Sequence, residues 1–582
     1  MATERLLNDF PPVGAADWEA AIARDLKGGD YRKLLIWRAE DGVEVKPYYR
    51  AGDLKGLAAL TSLPGEFPFR RGARPSGDWV IREEIDAADA QEANRAACAA
   101  VTAGAEGIAF TRLSVRNNAE LEAALAGLIE VPVHFQLADD GLIRLLVERL
   151  RSQQNGADRS TGCDPLANTE FAAEIVRTAP TGFVPFTISA AAFEENGAAV
   201  IEEIGFALAS GIDFLAALTE CGAAANRAAL ALEFNFAIGA NYFFQIAKLR
   251  AFRMLWARAA ERFGVSPHAS RARMTARTSR WNKTVYDPHV NVLRATTEAM
   301  AAIFGGADAV AVAPFDECSK APDEASRRLA RNTQLLLKHE AGLGRVADPG
   351  GGSYYIEALT DILAREGWKK MQEIEARGGF RKAQAEGTIA QALRRSLQAR
   401  ETAVQKRRRV LIGTNQFANP AEHALERVDV SCMNGIHRGA RGYEDLRLRT
   451  ESHAADTGRR PRVLLAKFGD ARMRTTRANF ATSFFACAGF SIAEKRFSNA
   501  AAIAAANADL IVLCGADAEY AEAAAKLMPE LKALGRATPV IVAGDPPNAE
   551  ELEAAGIADF VDARSNPVEV LAEWQKRLGI GD

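Results

Sequence analysis

Histidine is the residue type best able to move a proton near neutral pH or to ligate a metal, and this chain has seven in 582 residues. They are poorly spaced for either task. His134 ends a short run, Pro132-Val-His134, from which it could face a barrel mouth or be a hydrogen-bonded core residue. His268, His289 and His339 stand singly, and none forms a His-x-x-x-His pair with a carboxylate, so no metal site is expected. His453 is the last; residues 454–582 contain none. The seven cysteines lie at 98, 163, 221, 318, 432, 487 and 514, without a Cys-x-x-Cys pair. That spacing suits a reducing cytoplasm and argues against a disulfide framework or a structural zinc. Two anion-binding patterns have plain structural alternatives. Gly350-Gly-Gly352 is a phosphate cradle or a tight loop. Lys406-Arg-Arg-Arg409 is a phosphate site or a charged helix end that complements the dipole.

The elements that must position these residues come from alternation. With 48% hydrophobic residues and a net charge of -3, the chain can bury large cores in more than one domain. It has no footprint of a nucleic-acid binder. The first residues, Met1-Ala-Thr-Glu-Arg-Leu-Leu, lack a signal core, and no apolar run approaches the roughly 20 residues a membrane span needs. Cytoplasmic location is the expectation. Residues 1–60 read as an arm: a helical period over 17–26, then a hairpin from Lys33-Leu-Leu-Ile-Trp37 to Val45-Lys-Pro-Tyr-Tyr49 with an Asp41-Gly42 turn. From residue 79, strands are predicted at 79–85, 107–111, 131–135, 183–189, 231–238, 274–279 and 309–314. A short eighth is predicted at 345–348. Helical stretches such as 243–263 and 326–341 fill the intervals. Eight β/α units over about 270 residues predict a TIM (β/α)8 barrel, placed with its trailing charged helices at 61–400. Residues 401–460 read as a linker, irregular from 410 onward. Residues 461–582 alternate again, with strands at 463–467, 490–493, 510–514, 540–543 and 560–561, which predicts a flavodoxin-like doubly wound domain.

The motifs then carry a resemblance. Phe236-Ala-Ile-Gly-Ala-Asn241, Ala247-Lys-Leu-Arg-Ala251, Asn291-Val-Leu-Arg-Ala-Thr-Thr-Glu-Ala-Met300, Phe315-Asp-Glu317, Leu329-Ala-Arg-Asn-Thr-Gln-Leu335 and Asp348-Pro-Gly-Gly-Gly-Ser-Tyr-Tyr355 occur in that order. They resemble the methylmalonyl-CoA mutase family from about residue 60 to 582. The resemblance implies a barrel for the acyl-CoA, a C-terminal domain of cobalamin-binding type, and a radical interconversion of (R)-methylmalonyl-CoA and succinyl-CoA on adenosylcobalamin.

The departures fall on the chemistry. Active members carry Tyr-His within Ser-Ile-Ser-Gly-Tyr-His-Met-Gln-Glu, at the end of what is counted here as the fourth strand. This chain has Thr187-Ile-Ser-Ala-Ala-Ala-Phe-Glu-Glu195, with Ala191 and Ala192 in those places. The resemblance gives that His the substrate's thioester carbonyl, and losing one such group costs about 10²–10⁴ in rate. Glu194 and Glu195 keep the family's Gln-Glu spacing, but acids at a helix start are ordinary. The family's Pro-Tyr-x-Thr-Met-Tyr is replaced by Ala73-Arg-Pro-Ser-Gly-Asp-Trp79, and its Thr-Ile-Gln-Asn-Asp by Ser160-Thr-Gly-Cys-Asp-Pro165. Arg277, Ser279 and Arg280 stand near a strand end where CoA or carboxylate contacts would lie. In the C-terminal domain the family's Asp-x-His-x-x-Gly supplies the cobalt ligand. Here the loop reads Asp470-Ala-Arg-Met-Arg-Thr-Thr476, and Arg474 occupies the histidine position; a guanidinium has no lone pair to give. The Ser-x-Leu and Gly-Gly that border the cofactor's nucleotide tail become Gly515-Ala-Asp517 and Ala543-Gly544.

No catalytic, cofactor-binding or metal-ligating residue is therefore expected on this chain. The resemblance implies a non-catalytic homologue within a heterodimeric enzyme, whose large partner holds adenosylcobalamin and does the chemistry. Duplication of a two-fold dimer lets one copy lose its site while the interface survives. Trp18, Leu35, Trp37, Tyr48 and Tyr49 of the arm are candidate contacts, either with the partner or with the chain's own barrel. A G-protein chaperone is a further partner of such mutases. Two other readings stay open: a divergent active mutase without the lower histidine, and a regulatory subunit that binds a CoA ester.

Overall fold

A computed structural model describes residues 13–57, 60–152, 157–433 and 437–581; the first seven residues, read above for a leader, lie outside them. The main sheet is a closed parallel barrel. Its strands, in order around the ring, are Val80–Ile85, Gly107–Phe110, Val133–Phe135, Arg159–Thr161, Phe183–Ser189, Leu232–Ile238, Arg273–Thr278 and Ala309–Ala311. The last pairs with the first, Ala309 opposite Val80. The fifth strand is broken at Pro185, which has no N–H for the ladder. Its halves, Phe183–Val184 and Phe186–Ser189, face opposite neighbours: the first pairs with the fourth strand and the second with the sixth. The TIM barrel read from the alternation is the fold found.

Two strands differ from the expectation. The fourth is Arg159–Thr161, which lies in the segment the sequence reading treated as a lost motif, so that 183–189 is the fifth strand and not the fourth. The eighth is the 309–311 strand. Residues 343–345 instead make a single 3-10 turn that leads into a loop. The reason is the absence of an apolar signal: Arg-Ser-Thr is fully polar yet buried, because Arg159 is held by the loop carbonyls of Leu128 and Val131 while Ser160 meets His134. Val346, by contrast, is exposed.

Period two decides which side chains face the helices. On the sixth strand Phe234 and Phe236 pack on Phe252 at 4.7 and 4.8 Å, and Phe234 also meets Trp256 at 4.9 Å. Those two rings belong to the helix Tyr242–Glu261, which packs between Val200–Glu220 and Tyr354–Glu375. The intervening Glu233 and Asn235 point the other way, into the ring.

The C-terminal sheet has the order Ser491–Arg496, Arg462–Lys467, Leu510–Cys514, Val540–Ala543, Asp559–Val561, all parallel. This is the flavodoxin-like order. The span before it is less irregular than expected, since Arg441–Thr457 is a helix. Its polar sequence hid a buried face of Tyr443, Glu444, Arg447 and Glu451, which face the loop after the seventh barrel strand. Glu444 accepts from the Val285 amide (2.9 Å), Glu451 from the Tyr286 hydroxyl (3.1 Å), and Arg447 lies 3.6 Å over the Tyr286 ring.

In the arm, the helix is Ala15–Asp25 and the hairpin pairs Trp37–Arg38 with Glu44–Val45 through the Gly42 turn. Residues 33–35, read as the start of the first hairpin strand, lie instead in the short helix Tyr31–Leu35. Asp30 caps it by accepting the Arg32 and Lys33 amides, a local bond that outweighs strand propensity.

Candidate functional site

Barrel enzymes work at the carboxyl ends of the strands, so that face is where a site must be sought. Ala191 and Ala192 do stand there, on the short helix Ala190–Glu195 that follows the fifth strand. Ser189 caps this helix, accepting the Ala192 amide at 3.2 Å. Ala191 is buried. Two methyl groups offer nothing to a carbonyl.

The interior beneath them is filled with charge. Arg277 of the seventh strand donates to both oxygens of Glu84 of the first, at 2.8 and 3.0 Å, and to Glu317 at 2.6 Å. Arg280 lies 3.5 Å from Glu317 and 3.7 Å from Glu195. Burial pushes the Glu317 carboxyl up, but Arg277 and Arg280 outweigh it and hold it below its ordinary value. Deeper in the ring, Glu233 meets His134 at 3.5 Å and Arg273 at 3.6 Å, and accepts from the Thr187 hydroxyl at 3.4 Å. His134 therefore belongs to the barrel's own polar layer. Its ring also bonds Ser160 at 2.9 Å and Gln136 at 3.3 Å, and burial pushes it down to about 4, so it is neutral at pH 7. Cys163, just beyond the fourth strand, is pushed up to about 12 by burial and is no thiolate nucleophile.

Arg277, Ser279 and Arg280, the residues placed near a ligand by the sequence, all have internal acids as partners. The Ser279 hydroxyl donates to Glu194 at 3.2 Å. Glu194 is more than a helix-start acid, because it also accepts from Arg400 at 2.8 Å, across 206 residues of sequence. Glu84, Glu233 and Arg82 went unremarked in the sequence. The signal was clearest on the sixth strand, where Glu233 and Asn235 sit at even spacing in an otherwise apolar run.

The glycine run cradles a cation of the chain itself. A Cβ on Gly351 would lie 1.9 Å from the Arg71 guanidinium, and the Gly352 amide donates to Glu357 at 3.0 Å. Glu357 also receives Arg70 at 2.8 Å and Arg250 at 2.9 Å. This is a buried ion cluster on the barrel's far side, and it takes the place of a phosphate. Within Lys406-Arg-Arg-Arg409, Arg407 donates to the Ser483 hydroxyl and Arg409 to Glu40.

In the C-terminal domain a ligand would sit where the strand order reverses, between the ends of Arg462–Lys467 and Leu510–Cys514. That crevice holds the chain's own side chains. The Phe468 ring lies so close over Gly515 that a Cβ there would be 2.5 Å from it. Glu519 covers Gly469 and accepts the Ala516 amide at 3.0 Å. The hydroxyl of the fully buried Tyr520 donates to the Ala543 carbonyl at 2.8 Å and accepts the Gly515 amide at 3.3 Å. Arg474 sits in the first turn of Ala471–Ala486 and donates to the Gly469 carbonyl at 2.8 Å. The position expected to carry a cobalt ligand thus ties up its own loop. The residues present do not fit a cobalamin: there is no nitrogen lone pair for the metal, and the crevice for its tail is filled. Among the described residues no cluster of three His, Cys, Asp or Glu could hold a metal ion. No described helix is long and apolar enough to cross a membrane.

Comparison with known proteins matches this chain to one family. A family model described as methylmalonyl-CoA mutase matches residues 38–115 and 168–456. The interval between the two stretches contains the third and fourth barrel strands, where the motif departs. A protein from Porphyromonas gingivalis named methylmalonyl-CoA mutase small subunit is 36% identical over 620 residues, covering 99% of each chain. One of the same name from Streptomyces virginiae is 34% identical, covering 99% of this chain and 98% of its own. A Rhizobium meliloti protein named methylmalonyl-CoA mutase is 30% identical over 75% of this chain and 68% of its own.

Proposed function

The chain belongs to the methylmalonyl-CoA mutase family, and we propose that within it this chain is the small, non-catalytic subunit of a heterodimeric mutase. Its large partner holds adenosylcobalamin and interconverts (R)-methylmalonyl-CoA and succinyl-CoA. The cofactor supplies the radical chemistry, and protein supplies orientation and exclusion of water.

The observation that carries this reading is the Arg277–Glu84–Glu317 cluster under Ala191 and Ala192. A site that had only lost its acid–base group would keep an open, polar mouth. Here the cations that could meet an acyl-CoA are spent on internal carboxylates. The filled crevice at Tyr520 and Phe468 supports the same conclusion for the cofactor.

What the chain offers instead is surface. The arm helix Ala15–Asp25 has no buried residue, and Trp18, Leu34 and Trp37 are 47%, 60% and 49% exposed. Beneath the helix runs an 860 Å³ cleft lined by Ala15, Ala23, Leu26, Tyr31, Ile36 and Tyr48. Two of the arm's aromatics are already engaged on the barrel: Trp37 on Phe244 at 5.7 Å and Tyr49 on Tyr355 at 5.0 Å. Trp18, stacked on Tyr48 at 5.1 Å, marks the face we assign to the large subunit, because aromatic anchors dominate such contacts.

Co-expression with a large mutase chain tests this. The expected result is a stable 1:1 complex in which turnover and the cobalamin spectrum depend on the large chain. Turnover or a bound-cobalamin spectrum from this chain alone would overturn it in favour of a divergent mutase. Saturable CoA-ester binding to the free chain would favour a regulatory subunit.

A further inference from the structure

The turn of the arm hairpin reaches three parts of the molecule at once. Asp41 accepts the Ile201 amide at 3.4 Å, at the start of the helix Val200–Glu220. Its neighbour Glu40 accepts from Arg409 and lies 4.0 Å from the Arg400 guanidinium. These two arginines stand at the end of the helix Thr388–Gln405 and just past it. Both guanidiniums lie over one ring, that of Trp281, at 4.3 Å for Arg400 and 4.5 Å for Arg409. Trp281 is buried at the joint between the two large domains. Its carbonyl accepts the Gly439 amide at 2.8 Å, and a Cβ on Gly439 would be 2.6 Å from the ring. Arg438, next in the chain, donates to the Lys283 carbonyl at 3.2 Å and pairs with Glu444.

We infer that Glu40 and Asp41 form a latch that couples docking of the arm hairpin to the order of the junction between the barrel and the C-terminal domain. The physical reason is charge. Two like-charged guanidiniums share one aromatic ring, and among the described residues the acids placed on them are Glu194, for Arg400, and Glu40, for Arg409 with Arg400 nearby. With the hairpin lifted, Arg409 keeps its cation–π contact but loses its carboxylate, next to a second cation in a half-buried site. Such a pair separates or rehydrates, and either motion uncovers Trp281. Because coupling is reciprocal, a loosened junction must also weaken the hold on the hairpin. The consequence for assembly rests on the arm being the subunit contact. Trp37 stays half exposed with the hairpin docked, so a partner seated on it tightens the junction.

Hydrogen exchange on the full chain alone, read peptide by peptide, is the test. Glu40→Gln should speed exchange roughly fivefold in residues 281–286 and 439–446 as well as in 37–45, the worth of one partly screened ion pair. Arg409→Gln should speed it in 37–45, far away in sequence. Arg32→Gln breaks only the contact with Glu44 inside the arm and should loosen 37–45 while leaving the junction unchanged. Faster exchange confined to the arm in Glu40→Gln, or to the junction in Arg409→Gln, overturns the latch. Should Arg409→Gln fail to fold, the contrast between Glu40→Gln and Arg32→Gln at residues 281–286 and 439–446 decides the outcome by itself. Binding of a large subunit is read by co-purification, so failure of the latch and failure of the subunit reading are separate results.

Discussion

Arg277 and Glu84 meet inside the barrel at 2.8 Å from strands that are not neighbours in the ring. Glu317 closes the cluster from the loop beyond the eighth strand at 2.6 Å. The cation at this end of the ring is thus engaged by internal carboxylates from the first strand and the last loop.

Restoring the side chains alone should therefore fail. The double variant A191Y/A192H, supplied with adenosylcobalamin, should form no succinyl-CoA above background. Measurable turnover would show that the filled interior is not the obstacle.

The same logic applies to the C-terminal domain. Arg474→His returns a lone pair to the ligand position but leaves Phe468, Glu519 and Tyr520 in the crevice. Titration of this variant with cobalamin should give no visible spectral change. A ligand-exchange spectrum would mean that the crevice opens at low cost.

The cluster around Glu357 should be the most sensitive stability site outside the junction. Its side chain is buried with Arg70 and Arg250. Glu357→Gln removes the carboxylate that Arg70 and Arg250 share, while Asp348 still holds Arg250 at 2.9 Å, and should cost about 3 kcal/mol, read as a loss in denaturant midpoint. The pH dependence has a definite sign. Burial raises this carboxyl, yet Arg250, the Gly352 amide and Arg70 bring it down to about 2. A lowered pKa contributes stability that is fully present above the unfolded value near 4.3. That contribution is lost as pH falls from there through about 2. Glu357→Gln should flatten the acid limb of the stability curve in that window.

Asp41 should act in the opposite sense. Burial pushes it up to about 6, helped by Glu40 and Glu202 and opposed by the Ile201 and Val200 amides. Asp41 lines a cleft to which Glu194, Glu203, Arg400, Arg408 and Arg409 contribute from other elements. A raised carboxyl contributes stability that is complete below the unfolded value near 3.9 and is lost as pH rises through about 6. The hairpin should be better protected from exchange at pH 5 than at pH 7.5, after correction for intrinsic rates. Asp41→Asn should remove the difference.

Much of this could be read from residue order. Alternation alone marked seven of the eight barrel strands and all five of the C-terminal sheet, because each carries an apolar face toward a helix layer. Substitutions at Ala191, Ala192 and Arg474 were visible as chemistry, since a methyl group and a guanidinium cannot do the work of an imidazole. The strand at Arg159–Thr161 was not visible. Its residues are buried through polar contacts, such as Ser160 to His134 and Thr161 to the Pro185 carbonyl, and a period-two apolar pattern cannot reveal those. The helix Arg441–Thr457 was hidden for the same reason, its inner face being Glu444, Arg447 and Glu451.

Residue order by itself determined the two β/α architectures and the two alanines, Ala191 and Ala192, at the end of the fifth barrel strand. Those properties depend on local periodicity and on residue type. Only the tertiary structure decided that Arg277 meets Glu84 inside the barrel, that the glycine run holds Arg71, and that Glu40 reaches Arg409 across 369 residues. Such facts depend on which charges meet across great sequence separation. Burial makes an unpaired charge costly, so the fold brings cations such as Arg277 and Arg409 to carboxylates far away in sequence, and a linear pattern holds no record of those pairings.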